Sequence, residues 1–145
     1  MDGVRRFTAY ADGASLGNPG PASWGVSLVN EGGLEVATAS GPLGHATNNV
    51  AEWQGAIAAV KLALAHGATH LDLRLDSQLV AYQIKGRYRV KHPGLKPLHT
   101  EFKRLAAPFG RRLTVTWIPR EENARADQVA GRSMPTRHKP TGWTP

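Results

Sequence analysis

Residues 10–20 read Tyr10-Ala-Asp-Gly-Ala-Ser-Leu-Gly-Asn-Pro-Gly20, and this stretch decides the fold. Apolar and polar side chains alternate from Phe7 to Asp12, which predicts a strand. The glycines and the proline that follow predict a turn. The turn leaves one carboxylate at the bend, so Asp12 is the first candidate catalytic group. On this stretch alone, the simpler interpretation is a hairpin turn in which the Asp12 side chain bonds its own backbone.

The composition is that of one ordinary domain. The chain has 145 residues, of which 41% are hydrophobic and 20% are charged, as in most globular domains. It contains no long apolar run and no apolar core of a signal peptide, so we expect no membrane partner and a cytoplasmic location. It also has no cysteine. Any bound metal must therefore have oxygen or imidazole ligands.

Positive charge is concentrated in one segment of the chain. The net charge is +7, and residues 85–112 alone contain nine bases and the single acid Glu101. A concentrated basic patch attracts polyanions through counterion release, which makes nucleic acid the leading partner class. A solvated basic surface that serves solubility is the alternative that charge alone leaves open.

The hydrophobic pattern predicts a mixed sheet with helices on both faces, because strands and helices alternate after an opening meander. Residues 134–145 are rich in proline and predict a poorly ordered tail, so the domain is expected over 1–133. The predicted elements, in chain order, are strands over 7–12, 22–30 and 34–40, a helix over 49–66, a strand over 71–76, helices over 78–86 and 98–109, a strand over 113–117 and a helix over 121–133.

Four of the acids stand where predicted elements begin or end. They are Asp12 after the first strand, Glu52 in the first turn of the long helix, Asp76 at the end of the fourth strand and Asp127 in the last helix. Turn formation, capping or a solvated helix face would explain each of them singly. Those explanations do not account for two strands that both end in an acid. Like charges gathered at one site repel, and a hard divalent cation such as Mg²⁺ or Mn²⁺ is the usual compensation.

Four motifs resemble ribonuclease H of type 1, and the resemblance runs from about residue 7 to about residue 132. The motifs are Asp12-Gly-Ala-Ser-Leu-Gly-Asn-Pro-Gly-Pro21, Thr47-Asn-Asn-Val-Ala-Glu52, Leu75-Asp-Ser-Gln78 and Glu122-Asn-Ala-Arg-Ala-Asp127. In this order, with matching secondary structure, they are highly specific. The resemblance implies an α/β fold of the ribonuclease H type: a five-stranded mixed sheet with strands one to three antiparallel, helices on both faces and the acids at its centre.

The resemblance also implies an activity, which is endonucleolytic hydrolysis of the RNA strand of RNA/DNA hybrids with little sequence preference. Asp12, Glu52, Asp76 and Asp127 match the family's four metal-binding acids, which would hold two Mg²⁺ ions, with Mn²⁺ as an alternative. One ion would lower the pKa of the attacking water and the other would stabilise the leaving 3′ oxygen. The products would be a 5′-phosphate and a 3′-hydroxyl, and we expect a monomer.

Contacts to the hybrid follow from the same resemblance. Asn18, Asn48 and Gln78 match residues that contact the minor groove, where 2′-hydroxyls distinguish RNA from DNA. Ser15 would present its backbone at the same place. Helix capping is an alternative role for the two asparagines of the second motif, and it is compatible with substrate contact.

The DNA strand would be held by a second group of residues. Thr47 matches a residue that binds a DNA phosphate, and Asn49 lies beside it in the sequence. The large basic protrusion of some family members is shorter in this chain, where it corresponds to residues 86–97. Within it, Arg87, Arg89 and Lys91 would contact the DNA backbone.

The sequence departs from the best-known members before the last acid. Many members carry a histidine in this loop, thought to help activate water or release product, but residues 117–123 contain none. Arg120 is a candidate for part of that role, although a guanidinium cannot act as a base near neutral pH. Two other functions stay open: a hybrid-binding module without catalysis, and an integrase, resolvase or exonuclease of the wider superfamily. The complete set of four acids argues against the binding module. The motifs Thr47–Glu52 and Leu75–Gln78 argue against the other enzymes of the superfamily.

Overall fold

The computed structural model describes residues 3–134, which form one mixed sheet flanked by helices. Short 3₁₀ turns over Ala107–Arg112 and Arg120–Glu122 complete the chain. The strands and helices are β1 (Arg6–Ser15), β2 (Gly20–Asn30), β3 (Glu35–Ala46), α1 (Asn48–Ala65), β4 (His70–Leu75), α2 (Gln78–Ile84), α3 (Lys96–Ala106), β5 (Leu113–Trp117) and α4 (Ala124–Gly131).

The strand order is β3-β2-β1-β4-β5, with β1, β2 and β3 antiparallel and with β4 parallel to both β1 and β5. This confirms the predicted five-stranded mixed sheet with an antiparallel opening. β3 and β5 are its edge strands. None of the helices within residues 3–134 combines the length and the apolar character needed to cross a bilayer.

Helices α1 and α4 lie on opposite faces of the sheet, which confirms the prediction of helices on both faces. Gly13 pairs with Trp24, while the adjacent Asp12 pairs with Gly25. Successive side chains on a strand point to opposite faces. A Cβ on Gly13 would lie 2.2 Å from Ala51 of α1, and a Cβ on Gly25 would lie 2.2 Å from the backbone of α4. Each glycine therefore lets one helix approach the sheet backbone.

β1 continues beyond Asp12, through residues that the sequence predicted as a turn. Its pairing with β2 runs as far as Ser15, which lies opposite Ala22. Gly13 is needed there for the close approach of α1 and not for a bend. β3 likewise extends past its predicted end at residue 40 to Ala46, whose carbonyl accepts a hydrogen bond from Ser15 Oγ at 2.9 Å.

The chain also differs from prediction near its C-terminal end. The helix expected over 121–133 is divided at Asn123, whose φ and ψ of −113° and 23° are not helical, and α4 begins only at Ala124. Met134, the first residue of the predicted tail, is buried. Residues 135–145, on which the rest of that prediction falls, lie outside the described residues, as do residues 1–2.

Candidate active site

Parallel pairing of β1 with β4 brings two of the predicted acids to the same end of the sheet. Ala11 pairs with Leu75, so Asp12 and Asp76 each directly follow a paired residue. Glu52 comes from the N-terminal part of α1, which Gly13 allows to lie against β1. One carboxylate oxygen from each of the three acids lies within 4.8 Å of the others. We call these three residues the acid cluster.

Burial and mutual repulsion shape the electrostatics of the acid cluster. Asp12 is 6% exposed and Glu52 is 8% exposed. Burial, together with the nearby charges of Asp76 and Asp127, raises the pKa of Asp12 to about 8. Burial and the Asp12 charge likewise raise the pKa of Glu52 well above its usual value. The pKa of Asp76 is also raised by burial, although a hydrogen bond from Asn123 and the charge of Arg120 oppose this effect.

The acid cluster suits a hard divalent cation. Three carboxylate oxygens converge, and Glu52 Oε1 is buried without a hydrogen-bond partner among the described residues. A buried acceptor without a donor is costly, and a cation with oxygen ligands would satisfy it while removing the repulsion that raises the pKa values. This residue set therefore fits Mg²⁺ or Mn²⁺.

Asp127 lies at the rim of the site. It is exposed on the first turn of α4, and together with the acid cluster it lines a cleft of about 400 Å³. Arg120 lines the same cleft, and no histidine of the described residues does so. Trp117, at the end of β5, donates its indole N–H to the backbone carbonyl of Asp76 at 3.2 Å.

Asn123 is a site residue that the sequence analysis missed. It is 1% exposed, and its Nδ2 donates to the carbonyl of Ala11 at 2.9 Å and to Asp76 Oδ2 at 2.8 Å. It therefore ties β1, at Ala11, to Asp76 directly after β4, and it fixes the Asp76 carboxylate. The one signal in the sequence was its place in the motif that ends at Asp127, because an uncharged amide gives no other sign of its partners.

The predicted minor-groove residues lie around the cleft and the start of α1. Ser15 and Asn48 line the cleft with the acid cluster. Asn18 Oδ1 accepts a hydrogen bond from Asn48 N at 3.0 Å, so it joins the loop between β1 and β2 to α1. Gln78 is exposed at the first residue of α2.

A second depression, of about 380 Å³, adjoins the cleft, and we call it the basic groove. Asn49 lines both the cleft and the groove. Thr47 also caps α1, because its Oγ1 accepts a hydrogen bond from Val50 N at 3.2 Å. The polar residues of the groove are Asn18, Thr47 and Asn49 around the start of α1, Gln83 of α2, and Arg89, Lys91 and His92 of the segment before α3.

The structure divides the basic segment that the sequence predicted as one patch. Arg89 and Lys91 line the basic groove, whereas the Arg87 guanidinium lies over the Tyr82 ring, 5.7 Å from its centroid. Arg112 lies at the other end of the sheet, where its Nε donates to the carbonyl of Thr69. The nine bases that are continuous in sequence therefore do not all lie on one surface.

Comparisons with known proteins agree with this geometry. The family described as Reverse transcriptase-like matches residues 10–133. The Bifunctional protein Rv2228c of Mycobacterium tuberculosis is 43% identical over 125 residues, which cover 86% of this chain and 34% of that protein. This chain thus spans about a third of the length of that relative.

Two solved structures are similar over most of this chain. RNase H1 from the halophilic archaeon Halobacterium salinarum NRC-1 has a TM-score of 0.85 at 40% identity, covering 90% of this chain and 98% of that one. LC11-RNase H1, solved in complex with an RNA/DNA hybrid, has a TM-score of 0.84 at 34% identity, covering 90% and 97%.

Proposed function

The chain belongs to the ribonuclease H family, and from this premise we propose that it is a metal-dependent endonuclease that hydrolyses the RNA strand of RNA/DNA hybrids. The observation that carries the proposal is the convergence of oxygens from Asp12, Glu52 and Asp76 within 4.8 Å, beside the groove that contains Arg89 and Lys91. A similar protein, LC11-RNase H1, was solved with an RNA/DNA hybrid, which supports the same substrate for this chain.

The acids would hold the metal that the reaction requires. Asp12, Glu52 and Asp76 would be ligands, and Asp127 would complete the set from the rim of the cleft. When bound, two Mg²⁺ or Mn²⁺ ions would supply an activated water and neutralise the charge that develops on the phosphate and the leaving 3′ oxygen. The expected products are a 5′-phosphate and a 3′-hydroxyl.

The chain's own side chains would mainly position the substrate. The scissile phosphate would enter the cleft, and the DNA strand would follow the basic groove between Thr47 and Arg89. Such placement lowers the barrier without covalent participation of the protein. A guanidinium is a cation and not a base in such a reaction, so Arg120 would attract the phosphate at the cleft and would not accept a proton from water.

The test is cleavage of one end-labelled RNA presented in a DNA hybrid, in an RNA duplex and alone, beside an end-labelled DNA duplex. Each substrate is incubated with Mg²⁺, with Mn²⁺ and with chelator, and the ends of the products are analysed. We expect metal-dependent cutting of the hybrid only, with 5′-phosphate ends. Binding of the hybrid without cutting would instead favour a binding module, and cutting of duplex DNA would favour another nuclease of the superfamily.

A further inference from the structure

The loop over residues 85–95, between α2 and α3, carries the bases of the groove, and a buried amide tethers it. Gln83, on α2, is 5% exposed. Its Oε1 accepts a hydrogen bond from Trp53 Nε1 at 3.0 Å, and its Nε2 donates to the carbonyl of Arg89 at 3.5 Å. The amide therefore connects the interior of α1 to the loop that lines the groove.

Trp53 determines which way the Gln83 amide faces. An indole N–H can only donate, so the amide oxygen must point toward Trp53 and the NH₂ group away from it, toward Arg89. Trp53 is fully buried, and its ring packs against the rings of His99 and Phe102 of α3, with centroids 5.6 and 6.0 Å away. The tether is thus fixed at a side chain that has little freedom to move.

The groove-lining part of the loop has few other attachments. Residues 87 and 88 are held separately, because their backbone N–H groups both donate to the carbonyl of Tyr82. Val90 packs against the core and Leu95 is buried. Among residues 3–134, the bond from Gln83 is the one hydrogen bond to the backbone of residues 89–91.

We propose that Gln83 is a positioning residue for nucleic-acid binding: it holds the backbone at Arg89 so that Arg89 and Lys91 face Thr47 and Asn49 across the groove. The inference rests on the proposed function, since the ligand of the groove is taken to be the backbone of the hybrid. A loop that is ordered before binding loses less conformational entropy when the ligand arrives. Loss of the tether should therefore weaken binding and leave the chemical step unchanged.

Gln83→Met is the decisive variant, because it keeps the length of the side chain and removes both hydrogen bonds. Gln83→Asn is a second variant, since it keeps a polar amide that is too short to reach both partners. Ser27→Ala is the matched control: Ser27 is buried, and its hydroxyl donates to Glu35 Oε2 at 2.6 Å, away from the cleft and the groove.

The experiment measures the affinity for a fluorescent RNA/DNA hybrid in chelator, single-turnover cleavage at saturating enzyme with Mg²⁺, and thermal unfolding. We expect Gln83→Met to raise Kd about three- to tenfold, which is the range for one lost hydrogen bond. Its cleavage rate at saturation should stay within about twofold of wild type. Ser27→Ala should lower Tm without changing Kd.

A double-mutant cycle separates positioning from general destabilisation. In a background of Arg89→Ala and Lys91→Ala, the additional change Gln83→Met should have no effect on Kd, because the groups that it positions are gone. An unchanged Kd in the single variant, or the same loss in both backgrounds, would overturn the inference. Failure of the wild-type protein to bind the hybrid would instead reject the proposed function, so the two failures are distinguishable.

Discussion

The acid cluster and the 85–95 loop are neighbours, but they are held in different ways. The acid cluster is fixed mainly by backbone, through the pairing of Ala11 with Leu75 and the close approach of α1 at Gly13. The backbone of residues 89–91 is tethered by one side-chain amide, that of Gln83. The geometry for chemistry is therefore supported redundantly, whereas the placement of Arg89 and Lys91 depends on few contacts. Changes in the two regions should separate catalysis from affinity.

The largest effect is expected from Asp76→Asn, which removes a ligand oxygen of the acid cluster. Cleavage should fall about 10³-fold or more, because charge stabilisation at the reacting phosphate is lost. Binding of the hybrid in chelator should persist, since the basic groove is intact. Asp72→Asn is the control, because Asp72 lies on β4, the strand that Asp76 directly follows, but bonds Arg74 and two threonines of β5. Equal activity of the two variants would contradict the site assignment.

Asn123→Ala tests whether a single side chain also matters in the acid cluster. It removes the amide that donates to both Asp76 and the Ala11 carbonyl. Loss of such a supporting partner typically costs about 10- to 100-fold in metal affinity. Calorimetric titration with Mg²⁺ measures this directly, beside the control Asn30→Ala, whose side chain caps the distant hairpin at Leu34. An unchanged Mg²⁺ affinity would mean that the sheet alone fixes Asp76.

Asp12→Asn should stabilise the metal-free protein at high pH. The pKa of Asp12 in the fold, about 8, lies above its ordinary value of 3.8. The protonated acid therefore favours the fold at low pH, and this contribution is lost as pH rises through the window between those values. In chelator, the free energy of unfolding should exceed that of wild type, and the excess should be larger at pH 9 than at pH 5. Urea unfolding at pH 5 and pH 9 measures the difference.

Mg²⁺ provides the control for that prediction. Excess Mg²⁺ should stabilise the wild-type protein and not Asp12→Asn, because only the intact acid cluster binds the ion well. The difference in the free energy of unfolding between Asp12→Asn and wild type at pH 9 should therefore become smaller or change sign when the metal is added. A difference that is the same at both pH values and with or without metal would contradict the raised pKa of Asp12.

The smallest effect is expected at the loop. Arg89→Ala combined with Lys91→Ala should reduce the dependence of log Kd on log salt concentration by about two, one for each lost phosphate contact. Arg87→Ala should change that slope less, since its guanidinium lies over Tyr82 outside the groove. Binding titrations at several salt concentrations measure the slopes. Equal slopes for the two proteins would show that the groove does not define the footprint.

The convergence of three acids could be predicted from the sequence, whereas the roles of the two buried amides, Asn123 and Gln83, could not. In the sequence pattern, Asp12 and Asp76 each end a predicted alternating strand, and a repeated charge at predicted strand ends has few structural explanations. Asn123 and Gln83 act through the partners that their side chains reach. The partners of Asn123 lie 47 and 112 residues away in the chain, and those of Gln83 lie 6 and 30 residues away. An uncharged amide carries no sign of such distant partners.

Two other differences have topological causes. Gly13 was compatible with a turn or with a close backbone approach, and only the position of α1 decides between them. The bases of residues 85–112 are continuous in sequence, but β5 runs parallel to β4. The chain must therefore return to the opposite end of the sheet before β5 begins, and it carries Arg112 away from the groove.

The position of β5 at the edge of the sheet has a consequence for solubility. Its sequence, Leu113-Thr-Val-Thr-Trp117, is uncharged and rich in strand formers, and Trp117 is 41% exposed. Such an edge can pair with a second copy of itself and begin aggregation. Here two arginines precede the strand, and Pro119 and Arg120 follow it closely. Charges and prolines that flank a hydrophobic strand hinder such pairing. They therefore protect β5, which lies beside β4, the strand that Asp76 directly follows.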